Sequence, residues 1–566
     1  MPLPPLLLLL LLSGSVPPRF SAGKGCPTLK ASESVEIHKI ETARLNTAAG
    51  ETKPAEPLQL SQLENGLVLF ALSVATFMGS LDITAVATVM PVIGAQFDDL
   101  SSINWIATTY LLGMTCTIPA VGRMSDIWGR RNVFILFILV FIIGSVICGA
   151  AKSMKPLLAG RSLAGIGAGG QMMLPMVIVS DMGTERQRAL NLGILAAVWA
   201  ISSVVGPVIG GTLGEHSSWR WLFYMNAPIM GVTIPILYFF MRFPIPPGSA
   251  WEKLKRIDYL GILVVAGAAL TLLLALNYGG NLYSWSSGVV ILLFVLSGVF
   301  FAVFVFIETK VAIDPIMPLQ LFKSRNAVAL IFIQPFIGGA TYVPTFYLML
   351  WYSVVKGASP ESSGLHLIPS VLTAALISMV SGAVITKTGE YRSHIILSTI
   401  ILTIGGGMLV LYDETISNSK QIGFLIIVGI GIGLAMQSHI VGMQATCQGD
   451  DMAMATTTVF FFRMLGAAVI IAILNTIMQT SLTTKLTKVV LEHPLYAKYI
   501  LDSVNNQDII RLPVVPQVVR EAVINANVKS LKSAFVANLA LTAVTVPVAL
   551  FVKHIPLSTD MNMVMI

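Results

Sequence analysis

Three charged side chains stand inside long apolar runs: Asp82, Arg161 and Arg463. A charge facing hydrocarbon costs roughly 3 kcal/mol or more, so such a group faces a cavity, pairs with an opposite charge or, if it is a carboxylate, takes up a proton. Asp82 is therefore a candidate proton-binding group. A desolvated carboxylate holds its proton, whereas a neighbouring cation or a bound substrate drives it off, and that competition is the physical basis of exchange. Arg463 has two readings: substrate binding or gating, or an interhelical hydrogen bond to carbonyls, to Gln437 or to Gln444. Gln171, Trp199, Gln334, Tyr342, Phe346, Gln437 and His439 also lie in apolar runs. They offer hydrogen bonds and aromatic faces to an amphipathic organic molecule, although each alone is equally compatible with packing. No GxxxxGK[ST] pattern, nucleophile triad or metal-ligand cluster accompanies them. The expectation is a protein that is not an enzyme, needs no cofactor or metal, and draws energy from an ion gradient.

The elements that must position these groups are membrane helices. Of 566 residues, 55% are hydrophobic and only 11% charged, against roughly 25% charged in soluble domains. Fourteen apolar runs approach the ~20 residues needed to cross ~30 Å of hydrocarbon: 67–91, 103–121, 133–151, 157–180, 190–213, 219–241, 258–277, 287–307, 327–350, 364–386, 394–412, 422–445, 453–478 and 534–553. Loops after the even spans, up to the tenth, hold Arg123, Arg130, Arg131, Arg186, Arg188, Arg242, Lys253, Lys255, Arg256, Lys310, Lys323, Arg325, Lys387 and Arg392; the short loops of the other face hold mainly Lys152, Lys155, Lys356 and Lys420. This bias places both termini in the cytoplasm. It also accounts for the net charge of +7 without a nucleic-acid partner. Cys116 and Cys148 fall within spans and Cys26 and Cys447 on the cytoplasmic side, so no disulfide framework is expected.

Two segments fall outside this pattern. Pro2 to Leu12 resembles the apolar core of a secretory signal but lacks a preceding basic stretch and is too short to span, so residues 1–65 are read as a disordered cytoplasmic tail. The external stretch 479–533 spaces Val489, Leu491, Tyr496, Ile500, Leu501 and Ile509 as in amphipathic helices lying against the membrane or over the outer mouth.

An internal repeat is legible. Gly165-Ile-Gly167-Ala-Gly169 in the fourth span recurs as Gly429-Ile-Gly431-Ile-Gly433 in the twelfth, offset by 264, and Gly122 and Gly129 recur as Gly382 and Gly389, offset by 260. The chain therefore divides into a six-helix bundle over 66–241, a linker with spans 7 and 8 over 242–310, a second six-helix bundle over 311–553 and a cytoplasmic tail over 554–566. Such parallel repeats pack about an axis along the membrane normal.

The segment Gly122-Arg-Met-Ser-Asp126-Ile-Trp-Gly129-Arg130-Arg131 resembles the loop signature of the major facilitator superfamily. Leu81-Asp82-Ile-Thr84 to Pro91, Arg161-Ser-Leu-Ala-Gly165-Ile-Gly167 and Gly206-Pro207-Val-Ile-Gly210-Gly211 resemble signatures of its fourteen-span drug:proton antiporters. Trp219-Arg220-Trp221-Leu-Phe223-Tyr-Met-Asn226-Ala-Pro228, Ile257-Asp258-Tyr259-Leu-Gly261 and Phe461-Phe462-Arg463-Met-Leu-Gly466 extend the likeness, especially to fungal toxin and secondary-metabolite efflux pumps, from about Leu63 to Lys553. The resemblance implies an all-α polytopic membrane protein of two six-helix bundles plus two inserted helices, acting as a monomer. It implies a proton-coupled antiporter in the plasma membrane, or the vacuolar membrane, that exports a small amphipathic compound. It also implies that Asp82 and Arg161 face one cavity as a coupling pair, with a permanent structural pair as the alternative, and that Asp126 with Arg130 and Arg131 forms a cytoplasmic gate that Asp181, Arg186 and Arg188 can join. Pro207 removes a backbone donor and is expected to kink the fifth span, while Gly210 and Gly211 admit a close neighbour. A symporter importing a siderophore-like chelate and a transport-silent solute sensor are the rival readings.

The charge bias makes a direct prediction. A reporter fused after Ile566 should be cytoplasmic and a tag inserted near Asn505 accessible from the opposite side; protection of both from outside would overturn the count of fourteen.

Overall fold

The computed structural model describes residues 62–557 apart from 100–101, 183–184, 244–248, 281–282, 313, 318, 359, 448–451, 504–508 and 510. All but the innermost residues of the two expected tails, together with Cys26, lie outside the described residues. Fourteen long helices follow one another: α1 (Gln62–Gln96), α2 (Ile103–Trp128), α3 (Arg130–Ala150), α4 (Met154–Asp181), α5 (Glu185–His216), α6 (Arg220–Tyr224, continued as Asn226–Phe240), α7 (Tyr259–Tyr278), α8 (Gly288–Lys310), α9 (Arg325–Trp351), α10 (Ile368–Thr388), α11 (Arg392–Leu409), α12 (Asn418–Gln444), α13 (Met452–Glu492) and α14 (Gln517–Ala543, continued as Thr545–Leu550). Helices dominate because lipid offers no partner for a free N–H or C=O, and only intra-segment bonding satisfies both. Thirteen of the described helices are long and apolar enough to cross a membrane. The remaining one, α2, is more polar but hides its threonines: Thr109 donates to the Trp105 carbonyl and Thr117 to that of Gly113, each at 2.8 Å.

The repeat appears in the packing. A Cβ on Gly165 would strike the Tyr110 carbonyl, and one on Gly429 would strike the Ser370 carbonyl, the position displaced by the same 260 residues as the loop glycines. Gly169 faces Met114 O and Gly433 faces Ala374 O in the same relation, while Gly167 and Gly431 abut Phe141 and Leu402. These glycines let the backbones of α4 and α12 touch their neighbours, as small residues do where no hydrophobic force separates helix from lipid. Between the halves, a Cβ on Gly122 would lie 3.2 Å from Ala453 O, and one on Gly382 would strike Ala189 O, again 264 residues away from Ala453. Gln444 Nε2 donates to Ser180 Oγ at 2.7 Å, and these two positions are also 264 apart. Equivalent residues can meet only close to the pseudo-twofold axis. The two halves are thus knit together at the end carrying the Gly122–Arg131 segment, hereafter the basic end.

Three features depart from the expected layout. The signature segment is almost wholly helical, and its turn is the single residue Gly129, at φ 87°, a conformation open to glycine; Gly389 does the same at φ 74°. Helix α13 continues for 41 residues to Glu492, ~60 Å in all, about twice the hydrocarbon thickness. The stretch 479–533 is mostly the continuation of α13 and the start of α14, closed by Leu482, Leu486, Val489, Ile500, Val515, Val519 and Val523 as a core of its own. Of the six residues singled out there, Val489 and Ile500 enter this core and Tyr496 packs on it, whereas Leu491 and Leu501 are exposed. Finally, α7 packs on α2, with Cys116 Sγ 3.4 Å from Ala266 O and Trp105 edge-on to Tyr278, and α8 packs on α7 through Ser297 to Ala268 O at 3.0 Å.

Leucine at Gly122 or Gly382 should wedge the halves apart at the basic end. A Ser180→Cys/Gln444→Cys pair joined by a short bifunctional reagent reports this: Gly122→Leu and Gly382→Leu should lower the cross-linking yield, and Gly66→Leu, which faces open space, should not. Equal yields in all three would refute the role of these glycines at the seam.

Candidate functional site

Asp82 and Arg161 meet inside the first bundle. Arg161 Nη1 donates to Asp82 Oδ2 at 2.5 Å, and the two side chains are 2% and 0% exposed. Arg161 also donates through Nε to Ile106 O at 3.2 Å and lies over the rings of Tyr110 at 4.1 Å and Phe223 at 5.8 Å. Asn226, the first residue of the second segment of α6, donates to the other carboxylate oxygen at 3.4 Å and to Ser145 at 3.1 Å. Leu81, Ala85, Cys148, Leu157 and Trp219 complete an apolar wall. Three helices besides α1 and α4 thus take part, α2, α3 and α6, and Tyr110 and Ser145 carried no charge or spacing that marked them; Asn226 was visible only as part of the Trp219–Pro228 motif.

The reverse side of α1 leans on α5. Ser80 Oγ donates to Trp199 O at 3.2 Å, and Ser202 Oγ donates to Phe77 O at 2.6 Å. One turn further on, Gly206 abuts Thr84, and Gly210 abuts Thr88 and the Ala85 carbonyl. The structure carries α5 as one helix through Pro207, and Gly211 is half-buried. The opposite face of α5 meets the second bundle: Ala197 and Ala200 pack with Ala375 of α10, and a Cβ on Gly193 would lie 2.9 Å from Ser378 O. Asp82 is therefore one helix removed from the seam between the halves.

At the basic end Arg130 is the hub. It bonds Asp126, Ser125 at 2.6 Å and Asp181 at 2.9 Å, joining the ends of α2 and α4 to the start of α3. Arg131 takes no part, pointing outward to the carbonyl and ring of Tyr238. Arg188 is buried, and the side chain of Arg186 lies outside the described residues. Arg123 of the same signature instead bonds Asp314 at 2.8 Å, which also holds Arg256 at 2.7 Å. Beside it Glu308, a buried carboxylate that the sequence reading missed, accepts from Ile316 N at 3.0 Å and from Met317 N at 3.4 Å. Nothing in the local pattern announces the Asp314 bonds, which link segments far apart in the chain, whereas Glu308 caps backbone only eight and nine residues on.

The cavity candidates separate into two groups. Gln171 ties α4 to α1 through Ala75 O at 2.9 Å, and Gln437 ties α12 to α10 by bonding both the hydroxyl and the carbonyl of Ser378. Trp199 packs at the seam, and Phe346 is 54% exposed on the outside of α9. The second group lies on α9, α12 and α13: Arg463 Nε donates to Gln334 Oε1 at 2.9 Å, Tyr342 reaches Met464, the residue after Arg463, with its hydroxyl 3.8 Å from Sδ, and His439 is buried on α12. The hydrogen bond expected with Gln437 or Gln444 is thus made to Gln334, because the face of α13 that carries Arg463 packs on α9; Gln444 is engaged by Ser180 and Thr456.

The Arg130 network predicts a kinetic signature. Asp126→Asn should leave the protein inserted at normal abundance but slow its turnover, and Arg131→Ala should change neither abundance nor turnover. Wild-type transport by Asp126→Asn would reduce the network to a solvated turn.

Comparison with known proteins agrees with this architecture. A profile of the Major Facilitator Superfamily matches residues 72–471. The efflux pump aflT of Aspergillus parasiticus is 34% identical over 433 residues, covering 75% of this chain and 84% of that protein, and the efflux pump dotC of Dothistroma septosporum is 33% identical, covering 71% and 70%. In structure the chain is similar to a bacterial homologue of the human lysosomal transporter Spinster, at a TM-score of 0.52 with 15% identity over 88% of this chain and all of that one. It is also similar to the human organic anion transporter MFSD10, at 0.51 with 13% identity over 86% of this chain and all of that one. The repeat, the glycine seams, the matched profile and these relatives together show that this chain is a multi-pass membrane transporter of the Major Facilitator Superfamily, the family to which fungal efflux pumps belong.

Proposed function

We propose that this protein is a proton-coupled antiporter that exports a small amphipathic organic compound, a toxin, secondary metabolite or drug, by alternating access. In this reading the basic end faces the cytoplasm, the membrane is the plasma membrane, and the chain works alone. The observation that carries it is the sealed Asp82–Arg161 pair and the way α1 stands between that pair and α5. A proton on Asp82 removes the charge that holds α1 to Arg161, while Arg161 keeps its bonds to Ile106 O and its stacking on Tyr110. The strength of the α1–α4 contact then depends on protonation. Because Ser80 and Thr84 flank Asp82 and both touch α5, any shift of α1 is passed to the helix that packs on the second half. Proton binding and the packing of the seam thereby become one equilibrium, which is what coupling requires. The names of the fungal relatives support export as the direction.

Cells expressing the protein should accumulate less substrate, and a protonophore should remove the difference. Asp82→Asn keeps the shape but holds a neutral state, so it should abolish uphill efflux while leaving downhill exchange partly intact, at normal abundance. Asn226→Ala, which removes one donor from the carboxylate, should displace the pH profile of exchange. An abundant Asp82→Asn protein that still pumps against a gradient would sink the coupling.

A further inference from the structure

Arg463 is a buried cation for which no described residue supplies an anion in ion-pair contact. It lies ~16 Å along α13 from the basic end, near the middle of a hydrocarbon layer ~30 Å thick, and is 2% exposed. Its Nε donates to the neutral Gln334 amide and its guanidinium lies 5.3 Å from the Phe460 ring, but Nη2 is buried with no hydrogen-bond partner. Among the described residues no carboxylate lies within 4 Å of it, in contrast to Arg161. His439, fully buried on α12, holds its Nδ1 3.0 Å from Ala435 O. A carbonyl only accepts, so the ring proton belongs on Nδ1, and the lone pair of Nε2 is left buried and unpartnered. The hydroxyl of Tyr342 has only the weak acceptor Met464 Sδ, at 3.8 Å.

From this geometry we infer that Arg463, His439 and Tyr342 form a binding site for an organic oxyanion that also carries a hydroxyl group. The inference rests on the export reading and names its substrate class. An uncompensated guanidinium at mid-membrane costs several kcal/mol, a cost removed when a counter-charge arrives with the ligand. A carboxylate, phenolate or enolate oxygen accepts from Arg463 Nη2 in a charge-assisted hydrogen bond. A hydroxyl elsewhere on the ligand donates to His439 Nε2. Tyr342 and Phe460 offer aromatic faces to the ligand's apolar body. A cationic compound meets repulsion at the same place, and a neutral one leaves the guanidinium uncompensated.

The test uses the full-length protein in lipid nanodiscs with 6-hydroxy-2-naphthoate, its methyl ester, the matching 6-hydroxy-2-naphthylmethylamine, and 2-naphthoate, which lacks the hydroxyl. The hydroxy acid should bind roughly tenfold or more tightly than the ester and the amine, a margin typical of one charge-assisted bond. Arg463→Gln, which retains a partner for Gln334, should lose that margin. Arg463→Lys, the second variant should the first fail to fold, should keep preference for the acid over the amine. His439→Leu should erase the preference for 6-hydroxy-2-naphthoate over 2-naphthoate while leaving the acid–ester margin in place. Equal binding of acid, ester and amine, a margin that survives Arg463→Gln, or displacement by millimolar chloride as effective as by the acid would each overturn the inference. Protonophore-sensitive export of a neutral compound alongside such a result would leave the antiporter reading standing; absence of any export despite selective binding of the acid would instead remove that reading and spare the site.

Discussion

A guanidinium buried between membrane helices must obtain compensation from somewhere, and the two halves of this molecule provide it differently. In the first half Arg161 has a carboxylate at 2.5 Å, a backbone carbonyl and two aromatic rings, so the pair is complete without any guest. In the second half Arg463 has an amide dipole and one ring, and part of its hydrogen-bonding capacity stays unused. Removing one partner of a complete buried pair is costly because a bare charge is left behind. The first site is thus closed on itself, whereas the second keeps a buried donor free.

How a local event in one bundle is felt by the other follows from glycine. Where Gly165 and Gly429 lie, α4 and α12 approach their neighbours to backbone contact, which fuses helices within each half into stiff groups. Where Gly122 and Gly382 lie, the same device joins one half to the other at the basic end. The seam continues along α5 and α10, where Ala197 and Ala200 pack with Ala375. The Arg130 hub and the Arg123–Asp314–Arg256 chain sit at the basic end, and the second of these ties α2 to the linker that follows α8. The inserted helices are thus more than a lipid-facing annex: α7 covers α2 on the outside, and the segment after α8 holds α2 by its signature arginine.

Much of this was legible in the sequence by itself. Run length and the scarcity of charge required membrane helices, because no other open-chain structure satisfies its backbone in lipid. The two glycine patterns at nearly one offset required two like halves. Asp82, Arg161 and Arg463 announced themselves by cost, since a charge in an apolar run needs a reason. The signature residues around Gly122 and Asp126 pointed to the family that the comparisons show.

Only the tertiary structure decided which partners these groups have. Nothing in the spacing distinguishes Arg131, which points outward, from Arg130, which holds two carboxylates; the difference is one residue, about 100° of helix rotation. Asn226, Tyr110 and Asp314 are ordinary residues until segments distant in sequence bring them against a charge. The amphipathic pattern in 479–533 was real, but periodicity gives the apolar face without naming what covers it, and here the two ends of the stretch cover one another. Composition and spacing thus determined that the charges must be compensated and that the halves must match. The packing of distant helices decided that Asp82 compensates Arg161, and that no described residue does the same for Arg463, because compensation depends on distances of a few ångströms that sequence separation does not encode.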